Sequence, residues 1–245
     1  LLGCNDSSGV VVREPYLTDF ELSFGFVGDA GMGDSAPLQV IDFGTGIKLE
    51  QDLEKVWLVG GGGGNGMESY ELAMYFYMNC VSMPRAQMPF MFFICDEGLY
   101  SHVKPDEVEE IIGQKTSATP VNELFAPLLE KFKGNIFVLH KDYGSGDAAV
   151  VAQWQEILPP EHLIRLNEDK SVVDIMLGIV ATISGSRDID GYIVDMKSRG
   201  QSQARINNVT KVLENLGNLP SLVNTGSNMP AKKGERRGCG TTRRK

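Results

Sequence analysis

Pro89-Phe90-Met91-Phe92-Phe93-Ile94-Cys95, followed at once by Asp96-Glu97-Gly98, is the stretch on which the fold turns. Seven residues without polar alternation read as a strand covered on both faces, since a half-exposed strand would show a period of two. Such strands belong to parallel sheets held between layers of helices. The expectation is a central strand, with the acid and glycine marking the point where the chain leaves the core.

Working outward, residues 135–140 (NIFVLH) form a second buried strand and residues 162–166 (HLIRL) a short third. Upstream, residues 20–27 (FELSFGFV) and 38–43 (LQVIDF) read as two strands joined by a Gly/Asp/Pro connection, and residues 56–59 (VWLV) as a short buried strand. Helical patterns fill the intervals at 49–55, 69–79, 105–113, 120–132 with a kink at Pro127, 148–158 and 172–183. A terminal amphipathic helix follows at 205–216. Strand–helix alternation predicts an α/β fold: a three-layer, mostly parallel, Rossmann-like sheet with helices on both faces. The organisation expected is an irregular segment over 1–17, the α/β domain over 18–185, a helical extension over 186–224 and a disordered basic tail over 225–245.

Length and charge narrow the function. The chain has 245 residues, 42% hydrophobic, and a net charge of −9. From Gly226 onward the balance is +6, which leaves −15 on the rest. An acidic body of that kind argues against nucleic-acid binding on the folded part, so contact with nucleic acid is left to the basic tail. No apolar run approaches the ~20 residues of a membrane-spanning helix. Cys4, Cys80, Cys95 and Cys239 show no metal spacing, and a reducing, cytoplasmic setting is expected. The chain opens Leu1-Leu2-Gly3-Cys4 without an initiator methionine, a start that resembles the end of a lipoprotein signal but lacks the segments that should precede one.

In open α/β sheets, ligands gather at the carboxyl ends of strands. Three segments belong there: Gly28-Asp29-Ala30, the glycine run 60–64 leading through Asn65 and Glu68 into a helix, and Asp96-Glu97-Gly98. Asp96, where a hydrophobic strand emerges, is placed to ligate a hard cation; its bland role is to cap the following turn. Asp29 has the same placement, with a Gly-Asp turn as the simpler explanation, and Glu97 is expected in solvent. The glycine run lacks the lysine of a phosphate loop, and a pattern laid on five glycines specifies little. His102, His140 and His162 are isolated, without His-x-x-x-His spacing, and read as ordinary surface or strand-end residues. Ser184-Gly185-Ser186 has no nucleophile-elbow context.

The order of these motifs resembles the von Willebrand factor A domains over roughly residues 18–185, closest to the bacterial and phage-type members. Phe24-Gly25-Phe26-Val27-Gly28-Asp29-Ala30 is similar to the family's second strand. The glycine run into Glu68-Ser69-Tyr70-Glu71-Leu72-Ala73 is similar to its Gly-Gly-Thr segment and helix, and Phe92 to Gly98 to its apolar strand and Thr-Asp-Gly. The resemblance implies a metal-ion-dependent adhesion site binding Mg2+, with Asp96 at the last ligand position. The family's threonine falls near Gly64, so Asn65 or Glu68 would substitute, with Asp29 nearby. The first motif departs: Asp6-Ser7-Ser8-Gly9 stands where Asp-x-Ser-x-Ser is expected, with five residues before it and ten between Gly9 and the strand at Phe20. That is too short for a crossover helix, so the first strand, its loop and the first helix read as missing. The implied function is a non-catalytic protein-interaction module with an incomplete divalent-cation site, and the implied partner another protein. The alternative is a metal-dependent hydrolase or nucleotide-binding protein using the glycine run and Asp96.

Overall fold

The computed structural model describes residues 16–58 and 64–217. The expectations for 1–15, Asp6-Ser7-Ser8 included, for glycines 60–63 and for the basic tail lie outside the described residues.

The chain is mixed α/β with a parallel three-stranded centre. Strands β1 (Leu22–Val27) and β2 (Leu38–Gly44) form an antiparallel hairpin in which Phe24 pairs with Ile41 and Val27 with Leu38. Helix α1 (Gly46–Leu53) follows. A two-residue strand β3 (Met67–Glu68) leads into α2 (Tyr70–Asn79). Next come β4 (Met91–Cys95), β5 (Gly98–Leu99), which pairs in parallel with β3, and β6 (His102–Val103), antiparallel to β7 (Thr119–Pro120). Between β6 and β7, α3 (Pro105–Glu107) starts on Pro105 and continues as a π-helical turn, Val108–Ile112, closed by Gly113 at φ 76°. Helix α4 (Val121–Lys131), with Pro127 inside, precedes β8 (Ile136–Lys141), and α5 (Asp147–Gln155) precedes β9 (Leu163–Leu166). Three helices complete the described chain: α6 (Val172–Ile183), α7 (Ile189–Ser198) and α8 (Gln203–Gly217).

The sheet order is β4-β8-β9, all parallel, with Phe93 opposite Val138 and Cys95 opposite His140. Period-two geometry splits β8 between two cores. Ile136 and Val138 face the layer that holds α2, α4 and Trp154 of α5, and Phe137 and Leu139 face the layer of α6, α7 and α8. Helices therefore cover both faces, as three layers require. The C-terminal helices are part of that packing: Ile206, Val209, Leu213 and Leu216 present one buried stripe of α8 to the second core.

Two expectations are corrected. The run ending at Cys95 is a strand, but β8 is its one pairing partner among the described residues, so β4 stands at the sheet edge with Ile94 54% exposed. The centre is β8, whose first five residues are buried. The apolar run at 56–59 is not a buried strand over its described part: Trp57 is 68% and Leu58 86% exposed. The Gln39 side chain holds it instead, its Nε2 donating to Trp57 O and its Oε1 accepting from Trp57 N, both at 2.8 Å.

Helix α2 joins the hairpin to the sheet. It is buried almost all round, as its apolar composition predicts. The Tyr77 and Ser23 hydroxyls share a 2.8 Å hydrogen bond on the hairpin side, and Tyr70 packs edge-on against Phe93 on the sheet side. Lys131 Nζ donates to the carbonyls of Tyr77, Met78 and Val81, satisfying orphan acceptors where α2 ends. No helix among the described residues is long and apolar enough to cross a membrane.

Candidate functional site

Two of the three segments singled out, the turn after β1 and the end of the glycine run, are in direct contact. Asp29 leaves β1 completely buried, and its carboxylate is fully engaged. Oδ1 accepts from Tyr100 Oη at 2.8 Å and from Met32 N at 3.2 Å, and Oδ2 accepts from Asn65 Nδ2 at 2.8 Å. Asn65 Nδ2 also donates to Tyr100 Oη, while its Oδ1 accepts from Met67 N. Ser69 adds two bonds, its Oγ accepting from Ala30 N and its own N donating to Gly28 O. One carboxylate thus clips together the turn after β1, the end of the glycine run and the segment after β5. A Cβ on Gly28 would lie 2.6 Å from Asp34 Oδ2, so a side chain there would have to displace that carboxylate from its bond with Asp29 N. Burial, and then the bond to Asp29, push the Tyr100 hydroxyl up to about 12.

Around this clip lie carboxylates without countercharge. Glu68 is half-buried, and its carboxyl is pushed up to about 7, first by burial and then by Glu97, Asp34, Asp29 and Asp96. Glu97 is raised too, by burial and then by Asp96 and Asp29. Glu68 Oε2 and Glu97 Oε2 are buried without a hydrogen bond. Among the described residues none of the five acids has an ion pair with a lysine or arginine, since the salt bridges all lie elsewhere. A cavity of about 270 Å³ opens beside Glu68, lined by Asp34, Gln39, Val56, Trp57 and Leu58 among others. Glu68 and Asp34 thus share one cavity with the exposed Trp57 and Leu58.

The four residues singled out in the sequence are placed as follows. Asp29 and Asn65 are in direct contact but spend their polar atoms on each other and on the loops. Glu68 joins them electrostatically, and Asp96 stands exposed at the end of β4. Among the described residues no three of these acids each bring an oxygen within 4.8 Å of the others. The donors are of the oxygen type Mg2+ takes, but Mg2+ demands near-octahedral ligands at about 2.1 Å. As placed, the described acids do not converge into an all-protein cage for it. Glu97, expected in solvent, is instead half-buried, with one carboxylate oxygen out of solvent.

The histidines divide. His162 Nδ1 lies 2.9 Å from Ile136 O and its ring stacks on Phe137, a packing role. His140, also expected to be an ordinary strand-end residue, is fully buried at the end of β8, with neither ring nitrogen hydrogen-bonded. Asp142 and Asp147 lie beside it. The signal available in the sequence was an acid two residues past a histidine at the end of an apolar strand, a spacing that a search for His-x-x-x-His passes over. Comparison with protein-family models, with curated proteins and with solved structures found no match.

Proposed function

We propose that the chain is a non-catalytic protein-binding module of the von Willebrand factor A type, whose carboxylate pocket around Glu68 receives a lysine or arginine side chain of its partner. The observation that carries this reading is Glu68 itself: half-buried, with its carboxyl at about 7, and with every charged neighbour that moves it another acid. An arriving cation would relieve that repulsion and lower the carboxyl back toward its ordinary range. Trp57 and Leu58 supply apolar contact area at the same rim, the residue kind that anchors interfaces. The fold type is supported by the order hairpin, buried helix, parallel strands and flanking helices. The divalent-cation site is incomplete, so the positive charge comes with the partner and not from resident Mg2+. A cytoplasmic setting suits the free thiols of Cys80 and Cys95.

Peptides selected from a random library on the immobilised full chain test this. Lysine or arginine next to an apolar residue should be enriched, with or without Mg2+. Glu68→Gln should weaken the selected peptides at least about tenfold, because it removes the buried charge that meets the cation. Enrichment of acidic peptides only when Mg2+ is present would transfer the role to a bound ion, and no enrichment at all would sink the binding module. The same carboxyl at about 7 favours one second reading, Glu68 as general base of a metal-dependent hydrolase. That reading requires a nucleophile or converging metal ligands beside Glu68, and the described residues bring no such ligands there.

A further inference from the structure

At the end of β8 a different set of side chains converges. His140 is 0% exposed, yet neither Nδ1 nor Nε2 has a hydrogen bond. A buried imidazole in that state gives up its solvation on both sides, which native interiors rarely tolerate without a reason. Its Nε2 lies 3.5 Å from Asp142 Oδ1 and 3.5 Å from Asp147 Oδ1. That is long for an N–H···O bond, whose usual span is about 2.7–3.2 Å. It is, however, the edge of a metal polyhedron. Ligand bonds of about 2.0–2.2 Å put two donors roughly 3.4 Å apart at the tetrahedral angle.

The three donor atoms all lie within 4.8 Å of one another, and among the described residues no other group of His, Cys, Asp and Glu does this. We propose that His140 Nε2, Asp142 and Asp147 form a binding site for a divalent transition ion of the zinc class. One imidazole and two carboxylates are a mixed N/O set, which suits Zn2+ and its neighbours and selects against Mg2+.

The surroundings hold both acids in place, as the outer contacts of metal ligands do. Asp147 accepts from Tyr143 N at 2.9 Å and from Gly144 N at 2.8 Å, which fixes its carboxylate and holds it below the usual range. Arg165 grips Asp142 through Nε and NH2. Each oxygen keeps a second lone pair for an ion. The arginine is the cation now facing Asp142, so the ion shares that carboxylate with it. Asp142 is 47% exposed, Asp147 13% and His140 0%, which leaves an entry route and an open coordination position on the Asp142 side. The site stands on Cys95's pairing partner in the sheet, at the carboxyl edge where α/β sheets collect ligands. It uses none of the acids around Glu68.

Chelator-stripped full-length protein, titrated with Zn2+ by calorimetry and with Co2+ by visible absorption, tests the assignment. One equivalent of Zn2+ is expected, and Co2+ should show the intense d–d bands of a low-coordinate N/O site. His140→Gln, Asp142→Asn and Asp147→Asn should each weaken uptake at least about tenfold, while His102→Gln leaves it unchanged. Because His140 is buried and its replacement risks the fold, the half-exposed Asp142→Asn carries the decision, with cooperative thermal unfolding as its check. No uptake by the wild type, or uptake by folded Asp142→Asn equal to wild type, would overturn the site.

Discussion

Glu71 is the residue whose environment most opposes its chemistry. It follows Tyr70 in the first turn of α2, where an acid favours the helix dipole, yet only 1% of its surface reaches solvent. Both carboxylate oxygens are buried without a hydrogen bond of good geometry. Burial pushes the carboxyl up to about 8; its own amide, the Tyr100 amide and Lys104 offset part of this, and Glu107 adds to it. The folded protein therefore holds this proton up to about pH 8, while the unfolded chain releases it near 4.5. Between those values the native state binds more protons, so stability is complete below the window and falls as pH rises through it. Glu68, raised to about 7, acts in the same direction. Melting temperature should fall between pH 5 and pH 8, and Glu71→Gln should flatten that slope. At pH 8 the variant should gain about 1–3 kcal/mol, the scale of a buried unsatisfied polar group, or about 2–4 °C per kcal/mol. Parallel pH–Tm curves for the two proteins would refute the assignment.

At the scale of elements, the second core depends on how closely three helices cross. Gly178 lies in the middle of α6, where glycine costs a helix about 1 kcal/mol relative to alanine. It is there for proximity: a Cβ would lie 2.8 Å from Leu213 Cδ1 of α8 and 2.9 Å from Tyr192 Cε1 of α7. Neither neighbour can easily give way. Leu213 is 1% exposed and Tyr192 fully buried, the latter pinned by a 2.6 Å bond from its hydroxyl to Asp174 O. Gly178→Ala should therefore cost about 1–3 kcal/mol despite the gain in helix propensity, read as a lower denaturation midpoint at unchanged slope. A variant as stable as wild type would mean that the α6–α7–α8 crossing is looser than drawn. The sequence shows α6 as an apolar helix with its boundaries correct, but not that its glycine is a contact, because close approach depends on residues 14 and 35 positions away. The same limit separates β8 from β4. Both carry an unbroken apolar run, Met91–Cys95 and residues 136–139, and composition reports burial without naming the neighbour, so it does not tell the edge strand from the centre. For the same reason the apolar Trp57 and Leu58 pattern as core in the sequence, and the His140 cluster leaves no spacing motif because its partners come from the strand end and the turn beyond it. Asp29 and Asn65 were legible as strand-end residues; their engagement with each other was not.

At the scale of the whole molecule, the two larger ladders among the described residues, the hairpin β1–β2 and the sheet β4-β8-β9, both pack against helix α2. Among the described residues the two have no ladder between them; α2 links them through Tyr77, Ser23, Tyr70 and Phe93, and the Asp29 clip ties the turn after β1 to the segment after β5. Among the described residues β4 has one edge without a strand, with Ile94 exposed and the stacked Phe90–Phe92 pair only half-covered. Edges of this kind are where sheets open or recruit further strands. Burial is also uneven: β8 is covered on both faces, whereas Ile41 is the one buried residue of the hairpin strands. Stability should follow that gradient, since local opening needs only the contacts of the opening unit. Native-state hydrogen exchange reads it directly. Amides of β8 and β9 should exchange only through global unfolding, while those of β1 and β2 exchange through a smaller opening that spares the sheet. Added denaturant should lower the β8 protection steeply and the hairpin protection weakly, because the two events expose different areas. Equal protection and equal denaturant slopes in β1, β2 and β8 would show that the hairpin and the sheet unfold as one unit. In that case α2 couples them more tightly than its visible contacts require.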